Sequence, residues 1–163
     1  LNKSQNSLMT AIDEVRHISH QLRPSALDDI GLEAALSSLL QDYKAHSGVE
    51  VETLFSTQQG KLKSEAATTL YRVVQESLNN IEKHAKAKKV TVVLQQIGNM
   101  LQLLIRDDGV GFQVHDAMNK RGIGLRNMRE RVEFIGGDFE LNSEIGFGTE
   151  ITVLLTLEGL VYE

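Results

Sequence analysis

The sequence predicts an α+β fold, a two-layer α/β sandwich in which helices cover one face of a mixed β-sheet, with an additional N-terminal helix. The first observation is the order of the periodic segments: after the initial helix it runs helix, strand, helix, two strands, helix and two strands. The second is size and composition, because 163 residues with 41% hydrophobic residues suffice for one domain with a buried core.

The first segment, residues 1–22, has the pattern of a helix that packs against other helices. Apolar residues recur at the mixed spacings typical of coiled coils and helix bundles, at Leu1, Leu8, Ile12, Val15 and Leu22. A single helix of this length is marginal in water, so it needs a partner. Pro24, the only proline, ends the pattern, and we therefore separate residues 1–24 from a second domain at 25–163.

The remaining elements are predicted in order along the second domain. A helix at 28–46 has Asp28 or Asp29 as its N-cap and Gly48 as its stop. Two further helices are predicted at about 64–86, with Ser64 as N-cap, and about 123–135, and strands at 49–55, 89–97, 100–106, 138–143 and 149–157. Gly98-Asn99 predicts a tight hairpin between two of the strands. Residues 108–121 are polar and contain glycine, which is typical of a loop.

The composition limits the classes of function. The absence of cysteine excludes disulfides and thiol chemistry. No apolar run approaches the about 18–20 residues that a membrane-spanning helix needs. The net charge of −5 argues against direct binding of nucleic acid. Because the sequence begins with neither Met nor a signal peptide, we expect it to be part of a longer chain.

The helix at 64–86 has a polar face that carries a candidate site. Glu76, Asn80 and Lys83 share this face, opposite the apolar face that docks on the sheet. An ordinary solvated helix face is the alternative. Asparagine is a poor helix former, however, and its amide oxygen can serve as a ligand for a Mg²⁺ ion that is bound mainly by phosphates. Lys83 can offer a positive charge to the same phosphates.

A second candidate site follows the strand at 100–106. The strand ends in Asp107-Asp-Gly-Val-Gly111, which places a carboxylate at the rim of the sheet. A carboxylate at this position can accept a hydrogen bond from the exocyclic amine of adenine, and Gly109 and Gly111 let the backbone approach a ligand closely. A hairpin turn is the alternative, but it does not explain the long polar stretch that follows.

Two more glycine motifs complete the set. Gly122-Ile-Gly-Leu125 opens a helix whose N-terminal amides favour phosphate. Gly146-Phe-Gly-Thr149 begins the last strand. Each motif alone also fits a flexible junction or a β-turn. The occurrence of all four motifs in this order is what favours a nucleotide site.

The ordered motifs resemble the Bergerat-type ATP-binding domain that gyrase, Hsp90, histidine kinases and MutL share. The likeness is narrower for one subfamily, the bacterial sensor histidine kinases of the nitrate/nitrite-sensor type. The segments similar to that subfamily are Gln21–Pro24, Leu27–Leu32, Ala34–Leu36, Tyr71–Asn80, Lys83–Ala85 and Gly124–Arg131. Together they extend the resemblance over about residues 12–157.

This resemblance implies roles for individual residues, with ATP and Mg²⁺ as cofactors. Asn80 resembles the Mg²⁺ ligand, and Glu76 stands where ATP-hydrolysing relatives keep a water-activating carboxylate, so these two are the candidate catalytic residues. Asp107 resembles the acid that specifies adenine, and residues 112–121 resemble a lid over ATP that we expect to open at low cost. The implied ATP-binding residues are Asn80, Lys83, His84, Asp107, Gly109, Gly111, Gly122, Gly124, Leu125 and Thr149.

The resemblance also implies a function and partners. Residues 1–24 resemble the second helix of a dimerisation hairpin, but the phosphoacceptor histidine of the family precedes an acid, whereas His17 precedes Ile18 and His20 precedes Gln21. We therefore expect a kinase portion that transfers the γ-phosphoryl group to a histidine outside this sequence. The expected partners are ATP or ADP, a response regulator with a DNA-binding output domain, and a second copy of the full-length protein. The location expected is the cytoplasmic side of a possible inner-membrane sensor.

Two alternatives to this function remain open. One is an ATP-hydrolysing or serine-phosphorylating relative of the anti-sigma kinase type. The other is a nucleotide-binding module without transfer activity.

Overall fold

The computed structural model describes residue 27 and residues 30–57, 62–115 and 123–161. The elements are α1 (Leu32–Ser47), β1 (Glu50–Ser56), α2 (Ser64–Asn80) followed by a π-helical turn (Ile81–Ala85), β2 (Lys89–Ile97), β3 (Met100–Asp107), α3 (Ile123–Phe134), β4 (Asp138–Glu144) and β5 (Gly148–Thr156). The predicted helix at 1–22 and the domain boundary at 24 lie outside the described residues. The predicted cap at Asp28 or Asp29 is wrong, because α1 begins at Leu32 and Gly31 is its N-cap.

The five strands form one mixed sheet in the order β1-β2-β3-β5-β4. β1 pairs with β2 in parallel, and the other three pairs are antiparallel. The parallel pair requires a crossover connection, and α2 lies in it. Gly98 and Asn99 form the predicted hairpin turn, since Ile97 pairs directly with Met100.

The helices and the sheet share one core. In β2 and β3 the buried residues alternate with half-exposed ones, as in strands with a single covered face. The side chains that fill the space between the layers include Leu36, Leu40, Leu70, Val73, Val74, Val92, Leu103, Val132 and Val153, all of them fully buried. The predicted α+β sandwich with helices on one face is therefore confirmed.

Edge strand β1 is less buried than its alternating sequence predicts. Val51 and Phe55 pack against the core but are only half-buried. The other five residues of the strand are exposed. Hydrogen bonding to one neighbour, β2, leaves this strand at the margin of the helical layer. None of the helices in the described ranges is long and apolar enough to cross a bilayer.

The ends of α1 and α2 show where local sequence was and was not informative. Gly48 ends α1 as predicted: it has φ of 70°, and its N–H donates to the carbonyl of Lys44 at 3.1 Å. Ser64 is the first residue of α2 rather than its N-cap. Lys63 occupies the cap position, without a side-chain capping bond.

The C-terminal end of α2 differs from the predicted continuous helix. The α-helix ends at Asn80, and a π-helical turn covers Ile81–Ala85. Lys86 then takes a left-handed conformation with φ of 51°, which is unusual for a residue with a side chain. Because a π turn is wider than an α turn, Lys83 does not keep the α-helical phase relative to Asn80. Such turns occur frequently at functional sites.

Candidate functional site

Asp107 is a buried carboxylate at the end of the central strand β3. Only 4% of the residue is exposed. Its Oδ1 accepts a hydrogen bond from the N–H of Gly109 at 2.8 Å. Burial raises the pKa of Asp107 above its ordinary value, and hydrogen bonds from the backbone of Gly109 and of Thr149 oppose this rise. The structure thus places a sequestered acceptor where the strand opens into the glycine loop.

The loop after β3 packs tightly against the turn between β4 and β5. Gly111 has φ of 60°, and a Cβ there would overlap the carbonyl oxygen of Glu144. Gly148 lies in the same way against the carbonyl of Asp107. Side chains at these two positions would push the loop and the turn apart, so both glycines are required by the close approach of the backbones.

Ser143 joins this loop to β5, and sequence reasoning missed it. Its hydroxyl accepts a hydrogen bond from the N–H of Phe112 at 2.9 Å and donates to the carbonyl of Gly148 at 2.9 Å. It also lies 3.0 Å from the hydroxyl of Thr149. The available signal was a hydroxyl residue three positions before the Gly146–Thr149 motif.

A second contact of the site joins α2 to the first turn of α3. A Cβ on Gly124 would overlap Oε1 of Glu76, so the carboxylate lies directly against the glycine backbone. The hydroxyl of Ser77, the next residue of α2, is 3.7 Å from the sulfur of Met128, which lies one turn after Gly124 in α3. Leu125 is half-buried and packs against the core. The two helices thus approach closely at the Glu76 position.

Asn80, the last α-helical residue of α2, is half-buried. Its Nδ2 is enclosed and has no hydrogen-bond partner in the described part of the chain. Unpaired buried polar atoms are rare in folded proteins, so this amide group fits a position that a ligand or its hydration completes.

Mg²⁺ is compatible with the donor set around Asn80. The described residues contain no group of three or more His, Cys, Asp or Glu side chains that could hold a metal. Mg²⁺ bound to nucleotide phosphates needs only one or two protein ligands, and an amide oxygen is a suitable one. The residues present therefore fit a metal that arrives with the nucleotide.

The structure brings the predicted site residues together in two groups and leaves others apart. Asp107 groups with Gly109, Gly111 and Thr149, and Glu76 groups with Gly124. Lys83 and His84 are exposed on the π-helical turn. Within the described ranges, neither side chain is hydrogen-bonded or ion-paired to a member of the two groups. Gly122 and most of the predicted lid lie outside the described residues.

Comparison with known proteins agrees with the fold. The sequence matches the family of histidine kinase-, DNA gyrase B- and HSP90-like ATPases over residues 65–159. It is 40% identical over 157 residues to the sensor histidine kinase MctS of Rhizobium johnstonii, covering 95% of this chain and 34% of that protein. It is 41% identical over 144 residues to the oxygen sensor histidine kinase NreB of Staphylococcus carnosus, covering 87% of this chain and 41% of that protein.

A solved structure shows the same fold. The histidine kinase domain of a blue-light activated histidine kinase from Erythrobacter litoralis superposes with a TM-score of 0.62 at 23% identity. The match covers 78% of this chain and 61% of that one. At this level of identity the likeness concerns the fold alone.

The sandwich, with a buried carboxylate where its central strand meets a glycine loop, defines a nucleotide-binding domain. The chain belongs to the histidine kinase-, DNA gyrase B- and HSP90-like ATPase family, and membership implies ATP as its ligand. It spans only 34% and 41% of the lengths of the two sensor histidine kinases that it matches.

Proposed function

We propose that this domain binds ATP together with Mg²⁺ and, in the whole protein, transfers the γ-phosphoryl group to a histidine outside the sequence given. The buried carboxylate of Asp107 is the observation that carries ATP binding. The histidine kinase assignment is supported by two relatives of that name at 40% and 41% identity over most of this chain.

Asp107 accounts for the choice of base. An ionised carboxylate is an acceptor only, so it pairs with the exocyclic amine of adenine. The carbonyl of guanine at the equivalent ring position would meet it as a second acceptor. Backbone amides already bind one side of the carboxylate, through Gly109 and Thr149, and they fix its orientation.

The phosphate side of the site is assigned to the end of α2 and the start of α3. Asn80 would hold Mg²⁺, which supplies charge neutralisation for the phosphates. Lys83 and His84 stand exposed on the adjoining turn, where they can approach a phosphate as donors. We assign Glu76 to orienting the reacting group. We assign Gly122 and Gly124 to the same phosphate side, and Gly124 lies in the first turn of α3, whose N-terminal amides favour an anion.

The reaction proposed is a direct phosphoryl transfer. The bond between the γ-phosphorus and the bridging oxygen of ATP breaks, a phosphorus–nitrogen bond to the imidazole forms, and ADP leaves. Such a transfer needs positioning and charge neutralisation more than covalent participation by the protein. The acceptor-only carboxylate and the cationic turn supply these two requirements.

The partners proposed belong to the whole protein. We place residues 1–24 in a dimerisation hairpin shared with a second copy, and we expect a response regulator with a DNA-binding output domain to take the phosphoryl group onward. The domain would work on the cytoplasmic side of a parent that is an inner-membrane sensor. ATP hydrolysis or serine phosphorylation is the alternative that the test below distinguishes.

The test supplies an acceptor to the chain. The protein is mixed with radiolabelled ATP, Mg²⁺ and a separate helical-hairpin polypeptide that carries a histidine followed by an acid. We expect acid-labile label on the added histidine, and less of it at subsaturating ATP when Asp107→Ala replaces the wild type. Acid-stable label on serine would indicate the serine-kinase alternative. Release of phosphate without labelling would indicate an ATPase.

A further inference from the structure

Asp108, the residue after the buried Asp107, binds a different part of the chain from its neighbour. Its Oδ1 accepts hydrogen bonds from the backbone N–H of Lys88 at 2.8 Å and of Lys89 at 2.9 Å. Its own N–H donates to the carbonyl of Lys89 at 3.3 Å. The N–H of Lys89, and less strongly that of Lys88, lowers the pKa of Asp108 below its ordinary value.

The next two residues continue the same junction. The N–H of Val110 donates to the carbonyl of Ala85 at 2.8 Å. Gly109 lies so close to Ala85 that a Cβ on the glycine would be 2.7 Å from the Cβ of the alanine. Residues 108–110 are therefore bonded at both ends to residues 85–89, the segment that connects the π-helical turn to β2.

This junction separates the two halves of the nucleotide site. Asp107, which we assign to adenine, immediately precedes the junction on β3. Asn80 and Lys83, which we assign to Mg²⁺ and phosphate, precede it on the other side, through the π-helical turn and Ala85. One nucleotide must contact both halves, so its affinity depends on the distance that the junction sets between them.

We propose that Asp108 is a positioning residue that holds the adenine-binding and phosphate-binding halves of the site at the spacing that one ATP molecule requires. The inference rests on the proposed function of the site, because it assumes that Asp107 and Asn80 bind opposite ends of the same ligand. Asp108 itself touches neither end. It acts through the backbone of Lys88 and Lys89.

The charge of Asp108 and its positioning role predict opposite changes in ATP affinity when the carboxylate is removed. Asp108 is an exposed carboxylate beside a site for an anion, so its charge disfavours ATP. If electrostatics were its only influence, removal of the carboxylate would strengthen ATP binding. If Asp108 sets the spacing, removal weakens ATP binding and leaves adenosine, which has no phosphates, almost unaffected.

The experiment compares ATP with adenosine by titration in the presence of Mg²⁺. For Asp108→Ala we expect an affinity loss of about tenfold for ATP and less than about twofold for adenosine, since only ATP spans the junction. Asp108→Asn keeps an oxygen acceptor for the two amides, so it should restore ATP affinity. Asp138→Ala removes an exposed acid at the start of β4 and is the charge control.

Several results would overturn the proposal: equal losses for ATP and adenosine, an unchanged or higher ATP affinity in Asp108→Ala, or no recovery in Asp108→Asn. If Asp108→Ala does not fold, Asp108→Glu is used instead, because it keeps the charge and displaces the carboxylate. An unchanged ratio of ATP to adenosine affinity in that variant would also contradict the proposal. Failure of the wild type to bind ATP would instead overturn the proposed function, and the inference with it.

Discussion

The carboxylate of Glu76 lies directly against the backbone of Gly124, at a separation that leaves no room for a methyl group on the glycine. Glu76 is one turn before the end of α2, and Gly124 is in the first turn of α3. The contact places a negative charge beside the N-terminal end of α3, where the helix dipole favours it. A nucleotide phosphate bound at this helix end would share the same region with the carboxylate.

Replacing Gly124 by Ala should displace the carboxylate of Glu76 and weaken ATP binding. Alanine is favoured over glycine by about 1 kcal/mol in an unobstructed helix, so a gain in stability smaller than this would show that displacement of Glu76 offsets part of the helix preference. A double-mutant cycle with Glu76→Ala measures this directly by thermal denaturation. The two substitutions should couple by about 0.5–3 kcal/mol, because removal of the carboxylate relieves the overlap. Additive effects would show that the contact is unimportant.

Replacing Asp107 by Ala should reduce the affinity for ATP and its preference over GTP. The adenine amine loses its acceptor, for which we expect a loss of about 1–3 kcal/mol. In affinity this is about 5- to 150-fold. Calorimetric titrations of ATP and GTP measure the effect, with Asp138→Ala as a control that removes a distant exposed acid. Equal ATP affinity in Asp107→Ala and the wild type would contradict the assignment.

Asp107→Asn should make the nucleotide-free protein more stable at neutral pH. Burial raises the pKa of Asp107 in the folded state, so ionisation costs stability as the pH rises from the ordinary pKa of 3.8 through the raised one. The asparagine keeps an acceptor for Gly109 and carries no charge. Thermal denaturation should therefore show a higher Tm for the variant at about pH 7, and a smaller advantage at acid pH, where both forms are neutral.

Ionisation of Asp107 should also change the affinity for ATP. It lowers the stability of the nucleotide-free protein but should raise its affinity for ATP. Protonated Asp107 offers a donor where the adenine amine needs an acceptor, so ATP affinity of the wild type should fall as the pH is lowered through the raised pKa. If the stability advantage of Asp107→Asn were the same at every pH, burial of the charge would not be its cause.

Local sequence was sufficient to predict most helices and strands. It also predicted that Asp107 lies at the end of β3, because an apolar alternating segment followed by an acid and glycines is typical of a strand that ends in a loop. It was insufficient for the π-helical turn. Ile81 and Ala85 are four residues apart and both buried, which is also the pattern of an α-helix. The carbonyl of Ala85 accepts a hydrogen bond from the N–H of Val110, which is far away in sequence. The residues around position 85 give no indication of that contact.

The contact of Ser143 was hidden for a similar reason. The residue fits an ordinary position in strand β4, but its hydroxyl binds Phe112, which is 31 residues away in sequence. The approach of Glu76 to Gly124 is likewise tertiary. Each motif could be found from the sequence, whereas the bonds that join one motif to another became visible only in the fold.

Asn80→Ala should separate stability from function. The enclosed Nδ2 has no partner among the described residues, so its removal should leave Tm unchanged or raise it, and alanine also favours the helix. Nucleotide affinity measured with Mg²⁺ should fall more than affinity measured with a chelator. Asn79→Ala, at the neighbouring half-buried asparagine, is the matched control and should show no such difference. An equal loss in both conditions would mean that Asn80 holds no metal.

The last prediction concerns the histidines near the start of the sequence. The chain alone should bind ATP without phosphorylating itself, because neither His17 nor His20 is followed by the acid that an acceptor histidine of this family carries. Incubation with radiolabelled ATP, followed by acid and base treatment of the product, tests this. His17→Gln and His20→Gln should therefore leave the transfer to a supplied acceptor hairpin unchanged, within about twofold. Acid-labile label on either histidine would show that residues 1–24 contain the acceptor helix, and would overturn their assignment as the second helix of the hairpin.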